Sequence, residues 1–319
     1  MRIALVTPAK AGSRAGNRHT ALRWAAMLRK AGHKVIVSTE WEPNDKDDLL
    51  LALHARRSHG SIRRFRETHP GKPTVLALTG TDVYRDIHTD RDAKQSLEWA
   101  TRFVVLQPKA IDELPRRLRS KAHVVYQSCS TTLKHKPVER KFRLCVIGHL
   151  REEKDPLRGL YALRHLPAEC NIELIQIGDS LDDRLADEAR RGMEQDKRYR
   201  WLGSVPHSRA LKILASSHAM IISSRMEGGA NVVSEALRIG VPVIASRISG
   251  NVGLLGDQYG GYYPPGNERA LAALILRAAS EPRFYRARVR QLARLRPITA
   301  PGNEKRMLGN AIDVTIRRT

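Results

Sequence analysis

Short apolar runs alternate with longer amphipathic stretches along the whole chain. Strands that are buried on both faces of a parallel sheet read as near-continuous apolar runs, and the helices that cover such a sheet show a helical spacing of apolar residues. No sequence repeat or low-complexity segment interrupts the alternation. The pattern predicts the α/β fold class, with doubly wound parallel sheets.

Twelve apolar runs are predicted to be strands, and they form two series. The first series covers residues 2–7, 34–38, 49–53, 74–78, 102–106 and 123–125. The second series covers residues 143–148, 172–177, 199–202, 219–222, 242–245 and 261–263. Helices are predicted between the strands, for example over residues 20–31 and 92–100, and a last helix is predicted over residues 304–316.

The stretch 134–141 between the two series is polar and lacks periodicity, so we predict a domain boundary there. This gives an N-terminal domain over residues 1–138, a C-terminal domain over 139–296 and a tail over 297–319 whose helix crosses back to the N-terminal domain. Ligands of open α/β sheets bind at the carboxyl ends of the strands. Two such domains therefore predict a site in the cleft between them.

Composition narrows the class of protein. The chain has 319 residues, of which 41% are hydrophobic, and no apolar run approaches the roughly 20 residues that a membrane-spanning helix needs. The first residues form a strand-like run instead of a secretion signal, so we expect a cytoplasmic protein without a membrane span. Cys129, Cys145 and Cys170 are widely spaced and support neither a disulfide framework nor a thiolate metal site. We expect reduced thiols.

A formal net charge of +23 is the strongest compositional anomaly. Such an excess of lysine and arginine suits nucleic acid, an anionic membrane surface or small anionic substrates. The basic residues are dispersed along the chain, and neither a zinc-finger spacing nor an RNA-binding aromatic signature accompanies them. We therefore expect small-molecule substrates and no nucleic acid partner. A basic nucleic-acid-binding protein stays open as an alternative of a different class.

Two glutamates, Glu227 and Glu235, bracket a small-residue turn between an apolar strand and a helix. Free N–H groups and the helix dipole attract phosphate to a helix N-terminus. A carboxylate beside a diphosphate would be repelled, so we assign Glu227 to sugar hydroxyl groups and Glu235 to ribose hydroxyl groups. The alternative is an ordinary strand–helix unit with two solvated glutamates. The turn between the glutamates includes Gly228, Gly229, Ala230, Asn231 and Val232.

Segments 146–156, 177–179, 201–205 and 227–250 together resemble the retaining GT-B glycosyltransferases. The resemblance implies two Rossmann-like domains and a nucleotide-sugar donor. In that family, the loop after the first strand of the second domain supplies an arginine and a lysine that hold the donor diphosphate. The donor-binding residues implied in this chain are Gly148, His149, Arg151, Lys154, Ser204, Val205, Glu227, Gly228, Gly229, Ala230, Asn231, Val232 and Glu235.

The resemblance puts His149 at the arginine position and Lys154 at the lysine position. A neutral imidazole holds phosphate less strongly than a guanidinium does, and we expect Arg151 to supply the missing charge. The alternative for Lys154 is a surface lysine on a strand-to-helix loop. We expect no metal and no cofactor, because no convincing Asp-x-Asp motif ends a strand and residues 179–183 are typical of a helix start.

Three loops of the first half, at residues 8–20, 53–58 and 79–84, follow predicted strands and are rich in polar or cationic side chains. The first loop has neither the spacing of a dinucleotide fingerprint nor that of a Walker loop. Its cations, with Arg56 and Arg57 of the second loop, predict a pocket that favours a compact anion over a neutral sugar. Alternatives are a structural role for His54 and a turn or cap role for Asp82. The candidate acceptor-binding residues are Lys10, Ser13, Gly16, Asn17, Arg18, Thr20, His54, Arg57, Thr81 and Asp82, and Arg14 is a further cation of the pocket.

Segments 16–25, 53–58, 78–84 and 148–156 more particularly resemble the selenosugar synthases, the glycosyltransferase-like enzymes of selenoneine biosynthesis. This resemblance extends over nearly the whole chain. It implies that N-acetylglucosamine of UDP-GlcNAc is joined to the selenium of selenophosphate, with release of UDP and phosphate. Two rival activities stay open. One is a glycosyltransferase with a hydroxyl acceptor and His54 as base, and the other is a sugar-nucleotide epimerase. The catalytic residues implied are Lys154, Arg151, Glu227 and His54.

Overall fold

The twelve strands among the residues that the structure describes are all parallel and lie in two six-stranded sheets. This computed structural model describes residues 1–10, residue 12 and residues 16–316. The first sheet contains β1 to β6, in the spatial order 2-1-3-4-5-6, at Arg2–Val6, Lys34–Ser38, Leu49–Leu53, Thr74–Leu78, Arg102–Val105 and Ala122–Val124. The second contains β7 to β12, in the order 12-11-10-7-8-9, at Phe142–Ile147, Ile172–Ile177, Tyr199–Trp201, Ala219–Ile222, Val243–Ser246 and Tyr262–Tyr263.

Helices connect the strands throughout the part of the chain that the structure describes. They are α1 to α12, at Gly16–Lys30, His59–Thr68, Ile87–Thr89, Arg91–Trp99, Arg158–Leu163, Asp183–Gln195, His207–Ala215, Asn231–Ile239, Ser249–Leu255, Glu268–Ser280, Pro282–Leu295 and Pro301–Ile316. Shorter 3-10 turns lie at Pro108–Ile111, Arg116–Lys121, Glu152–Lys154 and Arg296–Thr299, and a π-helical turn lies at Asp82–Asp86.

The fold class predicted from the sequence is confirmed. Every predicted strand coincides with an observed strand to within one residue at each end. The aspartate-rich stretch before α6 is a helix start, where the Asp182 carboxylate accepts a hydrogen bond from the N–H of Leu185 at 3.2 Å. α1 begins four residues earlier than predicted, because its polar first turn shows no apolar periodicity.

Alternate residues of a strand point to opposite faces of the sheet, and in the first sheet both faces are covered. Leu49, Leu51 and Leu53 of β3 pack into a cluster with α1 and α12. Leu50 and Ala52 of the same strand pack into a second cluster with α2. Each fully buried leucine contributes about 1.5–3 kcal/mol relative to an exposed one, so the sheet forms a stable base for the loops at its carboxyl end.

The chain forms two compact units, and its sequence passes between them more than once. The first unit consists of Met1–Gln127, Glu227–Gly229 and the C-terminal segment from Pro301. The second unit consists of Ser128–Met226 and Ala230–Ala300. Within the described residues, no helix combines the length and apolar character that crossing a membrane requires. All three cysteines are free thiols.

The last helix, α12, is part of the first unit and packs against α1. The indole N–H of Trp24 donates to Glu304 at 2.7 Å, and the guanidinium of Arg23 donates to the same carboxylate at 2.9 Å. Glu304 is fully buried. A buried carboxylate is stable when charged and donating partners surround it, so this contact fixes the position of α12 along α1.

Candidate active site

The loop after β7 is tied to the loop after β8 by backbone hydrogen bonds. The N–H of Leu150 donates to the carbonyl of Asp179 at 2.9 Å, and the N–H of Leu181 donates to the carbonyl of Leu150 at 3.0 Å. Gly178 has a φ of +144°, and a Cβ there would overlap the carbonyl group of Gly148. Only glycine allows this approach, so the two strand ends form one continuous backbone surface.

His149 lies in this loop and is half-buried. Its Nδ1 accepts a hydrogen bond from the N–H of Asp179 at 3.2 Å. An accepting Nδ1 carries no proton, so the neutral ring has its proton on Nε2 and offers one N–H donor there. A guanidinium would offer a charged fork of several donors at this position.

The turn Glu152–Lys154 is fastened to the end of β10. The carbonyl oxygens of Lys154 and Asp155 lie 3.1 and 2.7 Å from the hydroxyl oxygen of Ser223, and the N–H of Arg225 donates to the turn at 2.9 Å. Because Ser223 and Arg225 follow β10 directly, the loop that carries the lysine is held at the strand end that leads toward α8.

Charged side chains at the two ends of this turn have different surroundings. Asp155 has left-handed backbone, with a φ of +44°, and its carboxylate accepts a hydrogen bond from Arg158 at 2.9 Å. Such backbone at a residue other than glycine costs on the order of 1–3 kcal/mol, which the pairing with Arg158 helps to offset. Arg151 is exposed and has no side-chain partner among the residues that the structure describes.

α8 begins without a side-chain cap. Its N-cap residue is Ala230, whereas α4, α6 and α10 are capped by Asp90, Asp182 and Asn267. A side-chain cap stabilises a helix by about 0.5–2 kcal/mol. At α8, no side chain of the N-cap residue competes for the first N–H groups, and these groups and the helix dipole attract an anion. The predicted residues Asn231 and Val232 form this first turn and are half-buried.

Glu235 lies in the middle of α8, and its carboxylate is paired with His207. Nε2 of His207, the first residue of α7, lies 2.8 Å from Oε1 of Glu235. The hydrogen bond to Glu235 raises the pKa of His207 above its usual range, although burial opposes it. Sequence reasoning missed His207, because the pair is separated by 28 residues.

Ser204 and Val205 follow β9, at the carboxyl end of the second sheet. Ser204 is exposed, and Val205 is half-buried. The valine side chain packs against a small apolar cluster that contains Ile175, Ile177 and Ala210. The packing fixes the backbone of this loop two residues before α7 begins.

Residues Glu227–Gly229 group with the first unit, and the two glycines explain why. A Cβ at Gly228 would overlap the backbone of Thr79, and a Cβ at Gly229 would overlap the side chain of Leu106. Glu227 is buried, with 7% of its surface exposed. Gly228 and Gly229, which were named as donor-binding candidates, therefore have an observed role in close packing against the loops after β4 and β5.

His54 follows β3 with left-handed backbone, at a φ of +78°, and is 3% exposed. Its Nδ1 accepts from the N–H of Arg57 at 3.4 Å, and its Nε2 lies 3.3 Å from the hydroxyl of Thr81. Burial lowers the pKa of His54, against the opposing charge of Asp82. The ring is therefore neutral near pH 7 and carries its proton on Nε2. Strained backbone of this kind clusters at functional sites.

Asp82 is fully buried and accepts hydrogen bonds from backbone N–H groups. The donors are Gly80 at 2.7 Å, Thr79 at 3.0 Å and Ala55 at 3.1 Å. A carboxylate that accepts several N–H bonds fixes the backbone around it. Asp82 thus joins the loop after β3 to the loop after β4, and it sets the spacing between His54 and the turn that follows β4.

Asp86 lies at the other end of the π-helical turn and pairs with two arginines. Its carboxylate accepts from Arg56 at 3.0 Å and from Arg85 at 2.9 Å, and it lies 3.8 Å from Nε2 of His54. Burial opposes ionisation, but the hydrogen bond from Arg85 and the charge of Arg56 lower the pKa of Asp86. The exposed guanidinium of Arg57 has no partner among the described residues.

The loop before α1 is only partly described. Ser13 and Arg14 lie outside the described residues. Lys10 and Gly16 are exposed, whereas Asn17 and Arg18 are half-buried. The structure brings His54, Arg57, Thr81 and Asp82 together at the ends of β3 and β4.

Thr20, the remaining candidate of that loop, has its hydroxyl engaged inside the fold. It is 1% exposed, donates to the carbonyl of Gly16 at 3.0 Å and accepts from the side-chain amide of Gln127 at 2.6 Å. Both contacts lie within the first unit. Thr20 therefore supports the start of α1 from within.

Asp86, Arg85 and His207 are the charged or titratable side chains that the sequence did not single out. Asp86 and Arg85 had a local signal, since both follow the predicted loop 79–84 within a few residues. His207 had none beyond its position after the loop of Ser204 and Val205. Within the described ranges, no group of three or more histidine, cysteine, aspartate or glutamate side chains is arranged to hold a metal ion.

Comparison with known proteins adds a family and a fold. The family model described as "Glycosyl transferases group 1" matches residues 132–296. The chain is 26% identical over 271 residues to the glycosyltransferase 1 domain-containing protein 1 of Xenopus tropicalis. The aligned region covers 75% of this chain and 77% of that protein.

Two solved structures are similar over the full length of both chains. HepE of Anabaena, crystallised with UDP and glucose, superimposes with a TM-score of 0.75 at 16% identity. Sucrose-phosphate synthase of Thermosynechococcus elongatus superimposes with a TM-score of 0.79 at 15% identity. At this level of identity, the similarity establishes the same fold.

Proposed function

The chain belongs to the group 1 glycosyl transferases, and from this family we propose that it transfers N-acetylglucosamine from UDP-GlcNAc to the selenium of selenophosphate. Two further observations support the proposal. HepE, which shares the fold, has been crystallised with UDP and glucose, and four segments of this chain resemble the selenosugar synthases. UDP and phosphate are the other products.

The observation that carries the donor half of the proposal is the fastening of the lysine loop to the end of β10, the strand that precedes the uncapped helix α8. Lys154 lies in a turn that is hydrogen-bonded to the end of β10, and α8 follows that strand with Ala230 as its N-cap. Donors fixed before the substrate arrives stabilise a departing diphosphate without reorganising. Lys154, the start of α8 and Arg151 are the groups that would offset the charge of UDP.

His149 adds a neutral N–H donor to this set. Its Nδ1 is engaged by the loop after β8, so Nε2 is the atom that would face a phosphoryl oxygen. The charge that a guanidinium would bring at this position is assigned to Arg151, whose side chain is exposed and unpaired within the described residues. Gly148 would allow the close approach of the diphosphate.

The two glutamates are assigned to hydroxyl groups of the donor, because a carboxylate would be repelled by the diphosphate. Glu227 would accept hydrogen bonds from hydroxyl groups of the donor sugar, and Glu235 from those of the ribose. Ser204 and Val205, after β9, would complete the nucleotide site in the second unit. Carboxylates suit these roles because an ionised carboxylate is an acceptor only, and sugar hydroxyl groups can donate.

The acceptor half of the proposal is based on the loops after β3 and β4 in the first unit. His54 has a neutral ring with its proton on Nε2, so it suits the role of a donor to a phosphate oxygen better than that of a base. Arg57 is an exposed cation beside it. These features favour an anionic acceptor that is already a nucleophile over a hydroxyl acceptor that must lose a proton.

The proposed reaction has two steps. Selenium of selenophosphate forms a bond to the anomeric carbon, while the bond from that carbon to the UDP oxygen breaks and UDP takes the electron pair. Water then cleaves the selenium–phosphorus bond, which releases phosphate and leaves selenium on the sugar. The side chains assigned above bind, orient and balance charge in these steps, and the attacking atom needs no base because it is anionic.

The test is incubation of the protein with a panel of nucleotide sugars, with and without selenophosphate. We expect free UDP and a selenium-bearing sugar by mass spectrometry when both substrates are present. Lys154→Ala should lower product formation at least tenfold, whereas Lys141→Ala, at an exposed position, should not. Transfer to alcohols and none to selenophosphate would overturn the acceptor assignment.

Two other results would overturn the transferase proposal itself. Conversion of the nucleotide sugar without any acceptor would indicate an epimerase. Salt-sensitive binding of duplex nucleic acid without binding of UDP would favour a nucleic-acid-binding protein.

A further inference from the structure

The pair of His207 and Glu235 joins the first turn of α7 to the middle of α8 within the second unit. The Glu235 side chain is 14% exposed, and the His207 side chain is 61% exposed. Within the part of the chain that the structure describes, His207 is the partner of the Glu235 carboxylate and contacts Oε1. Oε2 is left available on the same carboxylate.

We propose that His207 is a positioning residue that holds the carboxylate of Glu235 in the orientation in which it accepts hydrogen bonds from the ribose hydroxyl groups of the nucleotide. The inference rests on the proposed function, in which Glu235 binds the ribose of UDP. A carboxylate has two oxygens that accept from about four directions in total. One hydrogen bond from His207 therefore restrains the group and leaves room for two hydroxyl donors.

The contact should increase the affinity for the nucleotide, because it orders the Glu235 side chain before the ligand binds. A glutamate side chain loses rotamer freedom when it is held in one conformation, and binding is tighter when that cost falls on the free protein. The contact is short and charge-assisted when the ring is protonated. The raised pKa of His207 keeps the ring protonated over a wider range of pH than an isolated histidine.

The position of His207 in the chain fits this role. It is the first residue of α7 and comes directly after the loop that contains Ser204 and Val205. Glu235 comes from the second turn of α8, whose start is assigned to the diphosphate. The histidine thus connects two segments that the proposed function assigns to the same nucleotide.

Calorimetric titration with UDP and with 2′-deoxy-UDP tests the inference on the full chain. The wild-type protein should bind UDP about tenfold more tightly than 2′-deoxy-UDP, the scale of one charged hydrogen bond. Glu235→Ala, which removes the acceptor, should abolish the preference. His207→Ala should reduce it to less than about threefold, and His207→Gln should restore part of it, because a side-chain amide also donates to a carboxylate.

A matched control removes a similar contact elsewhere. His88 lies 3.1 Å from Glu113 in an exposed histidine–glutamate pair of the first unit. His88→Ala should keep the wild-type affinities for both nucleotides. If His207→Ala weakens UDP and 2′-deoxy-UDP by the same factor, the histidine is merely structural and the inference is overturned.

The remaining outcomes separate this inference from the proposed function. UDP binding with an unchanged ribose preference in His207→Ala would overturn the role of His207 and leave the transferase proposal intact. If the wild-type protein binds UDP without any ribose preference, the role of His207 is likewise overturned. Absence of UDP binding by the wild-type protein would overturn both. If His207→Ala does not fold, the milder His207→Gln carries the test, with a reduced preference as the expected result and an unchanged one as its refutation.

Discussion

The hydroxyl oxygen of Ser223 lies 2.7 Å from the carbonyl oxygen of Asp155. Ser223 follows β10 and is 2% exposed, and Asp155 is the left-handed residue that ends the lysine turn. A side chain of one strand end therefore holds the backbone of another strand-end loop in a conformation that it would otherwise avoid.

Replacing Ser223 by alanine should loosen the lysine turn. A net hydrogen bond contributes about 0.5–1.5 kcal/mol, so we expect the free energy of unfolding to fall by that order. The KM for the nucleotide sugar should rise severalfold, and urea denaturation and steady-state kinetics measure the two effects. Ser208→Ala, at an exposed position of α7, is the control. An unchanged KM in Ser223→Ala would mean that the turn keeps its shape unaided.

Replacing Gly178 by alanine should cost far more than a strained backbone alone. The Cβ would overlap the carbonyl of Gly148, and overpacking typically costs about 1–3 kcal/mol in addition to strain. Gly266→Ala is the control, because Gly266 also has a positive φ, +76°, but open space where its Cβ would stand. Urea denaturation of both variants measures the difference. Equal losses of stability would contradict the packing argument.

Replacing His54 by glycine should destabilise the protein less than replacing it by alanine. Both substitutions remove the imidazole, but alanine keeps the strain of a φ of +78°, and glycine relieves about 1 kcal/mol of it. We expect His54→Gly to be more stable than His54→Ala by about that amount, less the unfolded-state entropy of glycine. Thermal unfolding gives the comparison. Activity with selenophosphate should be lost in both variants.

The lowered pKa of His54 predicts that acid destabilises the fold. The usual value is 6.5, so below that pH the unfolded chain binds a proton that the folded chain does not bind until its own lower pKa is reached. Unfolding free energy then falls by at most about 1.4 kcal/mol per pH unit in that window, and the effect is absent above pH 6.5. Urea denaturation at pH 7.5 and 5.5 measures the effect. The free energy of unfolding should differ less between the two pH values in His54→Gln than in the wild-type protein. His88→Gln should match wild type, and an equal difference in all three proteins would contradict the prediction.

Much of the fold could be predicted from the sequence because its signals are local. In β3 and β4 every residue is apolar or buried, and a parallel sheet covered on both faces requires such runs. The loops after these strands could be found for the same reason, since each begins where an apolar run ends. The sequence alone therefore sufficed to name His54, Thr81 and Asp82 as candidates.

The rest depended on contacts between distant parts of the chain. The pairing of His207 with Glu235 arises from the packing of α7 on α8, and no spacing within either helix encodes it. The π-helical turn brings Asp86 close to His54. If residues 79–84 are interpreted as an ordinary turn, Asp86 lies outside it and receives no role. From the sequence, Gly228 was assigned to donor binding. In the structure, the backbone of Thr79 is its near neighbour.

The burial of Glu304 against Trp24 affects how the protein is made. Residues 1–127 are translated long before α12, and until α12 is made the apolar residues of α1 and the first sheet that pack with Leu308, Ala311 and Ile312 lack these neighbours. The stretch from Ser128 to Ala300 has emerged almost entirely by that time. The unit whose strands are translated first is therefore the unit whose core receives its final residues last.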